Sequence, residues 1–163
     1  MTVSNLVRLY PLSPVQPASR PAPTVPTTPA TRAFYRALQE GADLPTQEAA
    51  RRWSQAILRT LGELLDRPAR RALAFALPPE LATALLEAPG PLHFRPRRLP
   101  QDWFLRTAAL RSGASDATEA IQPVHTVFQL LKGMVKRETG ERIVSALPAE
   151  VATIWHGAQH LVS

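Results

Sequence analysis

From residue 32 onward, apolar and polar positions recur with helical period. Between Thr46 and Asp66 the positions Trp53, Ala56, Ile57, Thr60, Leu61, Leu64 and Leu65 follow an i, i+3, i+4, i+7 spacing. That spacing places them on one face of an amphipathic helix. Thr46 supplies an N-cap, and Asp66-Arg67-Pro68 closes this helix and opens another, with Pro68 in the first turn, where a missing N–H costs little. A shorter helix is predicted ahead of it, capped by Thr31, carrying Phe34, Ala37 and Leu38, and stopped near Gly41. Leu77-Pro78-Pro79-Glu80 opens a fourth, with the carboxylate at the positive end of the helix dipole. The chain has no alternating β-branched run and no Asn-Gly or Asp-Gly turn, so no strand is predicted.

The pattern occurs twice. Ala76-Leu77-Pro78-Pro79-Glu80-Leu81-Ala82-Thr83 returns as Ala146-Leu147-Pro148-Ala149-Glu150-Val151-Ala152-Thr153, an offset of 70. At that offset, without a gap, Phe34 meets Phe104, Arg36 meets Arg106 and Leu61 meets Leu131. Ile57, Leu58, Leu64, Leu65 and Leu73 meet Val127, Phe128, Met134, Val135 and Ile143. In the second copy Asp116-Ala117-Thr118-Glu119 has capping-box spacing. Pro123 must kink or restart the long helix, and Gly133 and Gly140 weaken its end. The expected fold is all-α: two gapless four-helix repeats, residues 32–88 and 102–163, forming one pseudo-symmetric helical bundle. A unit of about 57 residues is marginal alone, which favours a single body.

Outside the repeats the chain changes character. Residues 1–31 hold seven of the 17 prolines and no acid, so an extended, polyproline-like arm is expected there. Residues 89–101 form an Arg- and Pro-rich linker. Charge follows the same division. The arm carries Arg8 and Arg20, the linker Arg95, Arg97 and Arg98, and neither has an acid. Residues 32–88 set eight arginines against seven acids, and residues 102–163 set six bases against six acids. Of the net +6, the connecting segments therefore hold +5.

Several classes of function are excluded by composition. With no cysteine among 163 residues, a disulfide scaffold and thiolate chemistry are ruled out. No apolar run approaches 18 residues. The stretch Val3 to Leu12 is broken by Asn5, Arg8 and Pro11, unlike a signal peptide. A cytoplasmic protein is expected. His156 and His160 stand at i, i+4, the spacing of a zinc pair, but Gly157 replaces the glutamate of the metalloprotease motif. No third ligand follows, so the pair reads as surface. His93 and His125 read as solvated or packed side chains. Neither a nucleophile elbow nor a phosphate-cradling glycine loop occurs. Glu63/Asp66, Glu80/Glu87 and Glu138/Glu141 are interleaved with Arg or Lys and read as solvated helix faces. No catalytic residue, metal or cofactor is assigned.

The duplicated unit, its aromatic-x-Arg opening (Phe34-Tyr35-Arg36, Phe104-Leu105-Arg106) and its closing Leu-Pro-x-Glu helix resemble a bacterial family of unknown function. Members of that family carry two such repeats, each ending in an apolar "Leu-Pro" helix with an aromatic near its end. Trp155 matches that aromatic, and Leu85 departs from it. The resemblance spans roughly residues 32–160, implies the helical fold, and carries over no catalytic residue.

The partner-binding residues expected from the sequence lie in the connecting segments. Leu6, Val7, Arg8, Leu9, Tyr10 and Leu12 form an apolar anchor around one arginine, at the end of a proline-stiffened tether. Phe94, Arg95, Arg97 and Arg98 form a cationic, aromatic linker suited to carboxylates. The reading is a non-enzymatic assembly, linker or adaptor protein for acidic protein partners. In composition it is similar to the linker proteins of phycobilisomes, although their usual domains are not recognisable. One alternative is a nucleic-acid or nucleoid-associated accessory protein, since the pI is near 11; a second is a stress-related regulator.

Overall fold

The computed structural model describes residues 27–88, 100 and 102–158. Among them are eight α-helices, one 3₁₀ turn and no strand. The first half contains α1 (Pro29–Gly41), α2 (Gln47–Leu64), α3 (Arg67–Ala76) and α4 (Pro79–Leu86). The second contains α5 (Trp103–Ser112), a 3₁₀ turn (Ala117–Ala120), α6 (Ile121–Met134), α7 (Arg137–Ala146) and α8 (Ala149–Gly157). The offset of 70 carries the bounds of α3 onto those of α7. It also carries the span of α2 onto the 3₁₀ turn followed by α6.

Local sequence explains most boundaries. Thr46 Oγ1 accepts from Ala49 N–H (3.0 Å) and Asp66 from Ala69 N–H (2.9 Å), capping α2 and α3. α1 begins earlier than the sequence suggests. Its N-cap is Thr28, and Thr31, expected as the cap, lies in the first turn and donates its N–H to Thr28 Oγ1 (3.4 Å). Pro29, assigned to the arm by composition, is therefore the first helical residue, where its fixed φ suits a helix start. Pro123 restarts the long helix rather than bending it: the 3₁₀ turn precedes it and α6 begins two residues before it. Only half of the expected capping box forms. Asp116 accepts from Thr118 N–H, whereas Glu119 accepts from Ser115. α6 ends at Met134, so Gly140 lies inside α7 and not at the end of the long helix.

Both copies leave their first helix through the same turn. Asp43 (φ 52°) and Gly113 (φ 88°), 70 positions apart, take the left-handed conformation. Just beyond them, Leu44 N–H reaches Gln39 O and Ala114 N–H reaches Ala109 O, each at 2.9 Å. These are the long-range bonds of a Schellman-type ending.

One hydrophobic core runs through both halves. The packing across the halves is reciprocal: α2 lies on α5, α1 lies on α6, the long helices α2 and α6 touch, and α3 meets its own counterpart α7. That pattern belongs to an isologous, two-fold-like association of equivalent units. The second half adds an aromatic stack. Phe104 lies 5.5 Å from Phe128, and Phe128 lies 5.2 Å from Trp155, tying α5, α6 and α8 together. At the equivalent positions the first half carries Phe34, Leu58 and Leu85, all buried.

The two equivalent crossings close differently. At the end of α1, a Cβ on Gly41 would lie 2.7 Å from Thr126 Cγ2, so the glycine allows the approach of α6. At the end of α5, the Arg111 guanidinium donates to Glu63, whose side chain is 6% exposed, and to Thr60 Oγ1 at 3.1 Å. Glu63 is thus buried and paired across the halves, not part of a solvated face as expected. Replacing Arg111 by Ala removes the hydrogen-bonded partner of that buried carboxylate and should cost about 3 kcal/mol in denaturant melts. Arg51→Ala, which removes an exposed pair with Glu48, should cost less than about 1 kcal/mol.

Glu80 clasps the start of α1 to the start of α4. Thr31 Oγ1 donates to its Oε2 (2.6 Å), Thr28 N–H to its Oε1 (2.7 Å), and Thr28 Oγ1 to its Oε2 (3.1 Å). The Thr31 hydroxyl first, then the Thr28 N–H, hold its carboxyl down to about 2, below the ordinary 4.5. Because the folded pKa is depressed, the stabilisation is complete above the unfolded value and is lost as pH falls towards 2. Glu80→Gln should destabilise by about 1–2 kcal/mol at neutral pH. The gap between the two proteins should narrow as urea melts are repeated from pH 5 down to pH 2.

Candidate functional site: a basic cleft in the second half

The chain has only two lysines, Lys132 and Lys136, and the fold brings both to one cleft. α6 ends at Met134, Val135 turns the chain, and Lys136 stands at the N-cap of α7. The returning end of α8 supplies Trp155 and His156. These elements enclose a cleft of ≈560 Å³. Its cationic lining is Lys132, Lys136 and Arg137, its apolar walls are Val135, Val144 and Trp155, and its remaining lining includes Gly140, Glu141, Ser145 and His156. The size is within the range of small-ligand and peptide side-chain pockets, about 300–1,000 Å³.

Lys132 is committed to the protein. Its ammonium donates to the carbonyl of Trp155 and sits 5.4 Å from the centroid of the Trp155 ring, a cation–π geometry. Burial lowers its pKa. Burial, and then the charge of Lys132, lower that of His125 on the same helix. Lys136 and Arg137 stand at the start of α7, where Arg137 shares an exposed pair with Glu141 (3.3 Å). Such a pair gives way to a competing carboxylate at little cost. With Glu141 as the sole acid in the lining, the site suits an anion attached to an apolar body.

The first half shows why the cleft is open. Position 62, equivalent to Lys132, is glycine, and position 70, equivalent to Gly140, is arginine. Arg70 is buried and donates to the carbonyls of Gly62 and Ala88, the latter at 3.4 Å. The first half thus fills the groove with a cation rooted on α3. The second roots its cation on α6 and leaves position 140 empty. Asp66 caps α3, whereas its equivalent Lys136 makes no side-chain cap on α7. Leu86, half exposed, becomes His156, and Phe75, 94% exposed, becomes Ser145. An apolar rim has been exchanged for a polar one.

A second hollow, ≈510 Å³, lies by Leu105, Glu150, Thr153 and Ile154. Glu150 is the equivalent of Glu80. Its Oε2 is buried and has no hydrogen-bond partner among the described residues.

The residues expected from the sequence to bind partners, Leu6, Val7, Arg8, Leu9, Tyr10, Leu12, Phe94, Arg95, Arg97 and Arg98, lie outside the described residues, as do His93 and His160. His156, considered only as one of a metal pair, belongs to the cleft. Among the described residues no group of three or more His, Cys, Asp or Glu is placed to hold a metal, and no helix is long and apolar enough to cross a membrane. Charge counting missed the cleft because six bases and six acids cancel along residues 102–163. The signal was the exchange at the repeat offset, Gly62 for Lys132 and Arg70 for Gly140.

The two glycines make opposite predictions. A Cβ on Gly62 would lie 2.5 Å from Leu85 O, in the last turn of α4, and 2.8 Å from Ala88 Cβ, just beyond it. Gly62→Ala should therefore cost about 1–3 kcal/mol. A Cβ on Gly140 meets only Val135 Cγ2, at 3.9 Å. Gly140→Ala should stabilise by about 0.5–1 kcal/mol, the helix penalty of glycine. Thermal melts of the two variants check both signs.

No curated protein matches the chain. A family model described as "Uncharacterized conserved protein (DUF2267)" matches residues 31–154, a span that includes most of both helical halves and stops just before Trp155 and His156. The chain belongs to the DUF2267 family.

Proposed function

We propose that this protein is a non-enzymatic adaptor that binds acidic partner proteins. The observation that carries the reading is the gathering of both lysines, Arg137 and His156 around one cleft whose lining holds a single acid. Charge-assisted hydrogen bonds from the lysines and Arg137 to carboxylates are among the stronger polar contacts available to a surface. The Arg-rich linker, with Phe94, Arg95, Arg97 and Arg98, and the apolar anchor Leu6 to Leu12 extend the contact. Tethered to the cleft, they make attachment multivalent and raise affinity through effective concentration. A linker of phycobilisome type, a small basic chain among acidic pigment proteins, is one concrete form of this role.

The test is fluorescence anisotropy with full-length protein, comparing a dodecapeptide of alternating Asp and Glu with a 20-base-pair duplex DNA across a salt series. The peptide should bind, and Lys136→Glu with Arg137→Glu should weaken it at least tenfold. Tighter DNA binding with a steep salt slope, unchanged in that double variant and lost in Arg95→Ser, Arg97→Ser, Arg98→Ser, would replace this reading with the nucleic-acid one.

A further inference from the structure

Gly140 stands inside α7 with no structural demand for glycine. Its φ is not positive, and a side chain there would meet only Val135 Cγ2 at ordinary van der Waals distance. Helix-interior glycine is unfavourable, so what position 140 provides is the vacant space of the cleft. The same place in the first half is occupied by Arg70. That comparison shows how large a side chain the groove accepts between equivalent helices.

The vacancy has two kinds of wall. Val135, Val144 and Trp155 are apolar, and the Lys132 ammonium lies over the Trp155 ring and is held by the Trp155 carbonyl. Lys136 and Arg137 bring the remaining positive charge, and His156 adds a polar edge. A carboxylate meets complementary charge at these groups, and an apolar side chain beside it removes the walls around Gly140 from water. A ligand that is only acidic leaves those walls uncovered.

From this we infer that the cleft holds a subsite for an apolar side chain next to its carboxylate site, so that the partner is a peptide segment in which an acidic residue neighbours an aliphatic or aromatic one. The inference rests on the acidic-partner reading above and adds the selectivity to it.

Two fluorescein-labelled dodecapeptides of equal charge test it, one of Asp and Glu with two central Phe residues, the other with two Ser in their place. Full-length protein should bind the Phe peptide at least tenfold more tightly. Gly140→Gln fills the vacancy without adding charge and should bring the two affinities within twofold of each other, chiefly through loss of affinity for the Phe peptide. Far-UV circular dichroism and melting confirm that this variant folds. A second readout needs no variant. Lys132 and Lys136 are the only side-chain amines, and mass-spectrometric acetylation footprinting should show Lys132 protected by the Phe peptide but not by the Ser peptide. Equal affinity of the two peptides for the unaltered protein, or equal protection of Lys132, overturns the subsite while leaving the acidic-partner reading in place. Binding of neither peptide overturns both.

Discussion

A half of about 57 residues is marginal as a folding unit, and the mutual burial of the two halves in one core is the constraint behind the rest of the structure. Each long helix presents an apolar face that its own three neighbours cover only in part. The remainder is covered by the other half, α2 against α5 and α6 against α1, with α2 and α6 meeting between them. Hydrophobic burial has no direction, so it alone tolerates sliding. The register is set by features with geometry: the close approach of Gly41 to Thr126, the Arg111–Glu63–Thr60 contact, and the Phe104–Phe128–Trp155 stack.

A shared core frees the outer grooves to diverge. The face of α3 and α4 directed away from the other half is matched, position by position, by that of α7 and α8, yet the two have opposite character. In the first, Arg70 plugs the groove and Phe75 and Leu86 are exposed. In the second, Gly140 leaves it open and the rim carries Lys136, Arg137 and His156. A cation on a helix-end carbonyl is present in both, the buried Arg70 from α3 in one and the half-buried Lys132 from α6 in the other, because those carbonyls require a donor. The close approach of α2 to α4 that Gly62 allows has no equivalent at Lys132, whose ammonium instead reaches the ring and carbonyl of Trp155. A single exchange of side-chain size between two helices thus turns a packed groove into a cleft.

The sequence was sufficient for the elements and their order. Helical period, caps such as Thr46 and Asp66, and prolines in first turns act within a few residues, so they can be read locally. Where local reading failed, a distant partner intervened. Thr31 looked like a cap, but Thr28 takes that position, with its N–H and hydroxyl held by Glu80 from 52 residues away. Glu63 looked solvated because acids among arginines usually are. Its burial depends on Arg111, 48 residues on.

The sequence by itself determined an all-α chain of two like halves, most of the helix ends, the concentration of net charge in residues 1–31 and 89–101, and the absence of cysteine. These follow from residue type and short-range spacing. Tertiary structure alone decided where the remaining charge acts. Along residues 102–163 bases and acids cancel, yet the turn at Val135 and the return of α8 draw Lys132, Lys136, Arg137 and His156 to one cleft, with Glu141 as its single acid. Net charge is a sum over the chain and electrostatic potential a sum over distance; only folding supplies the distances.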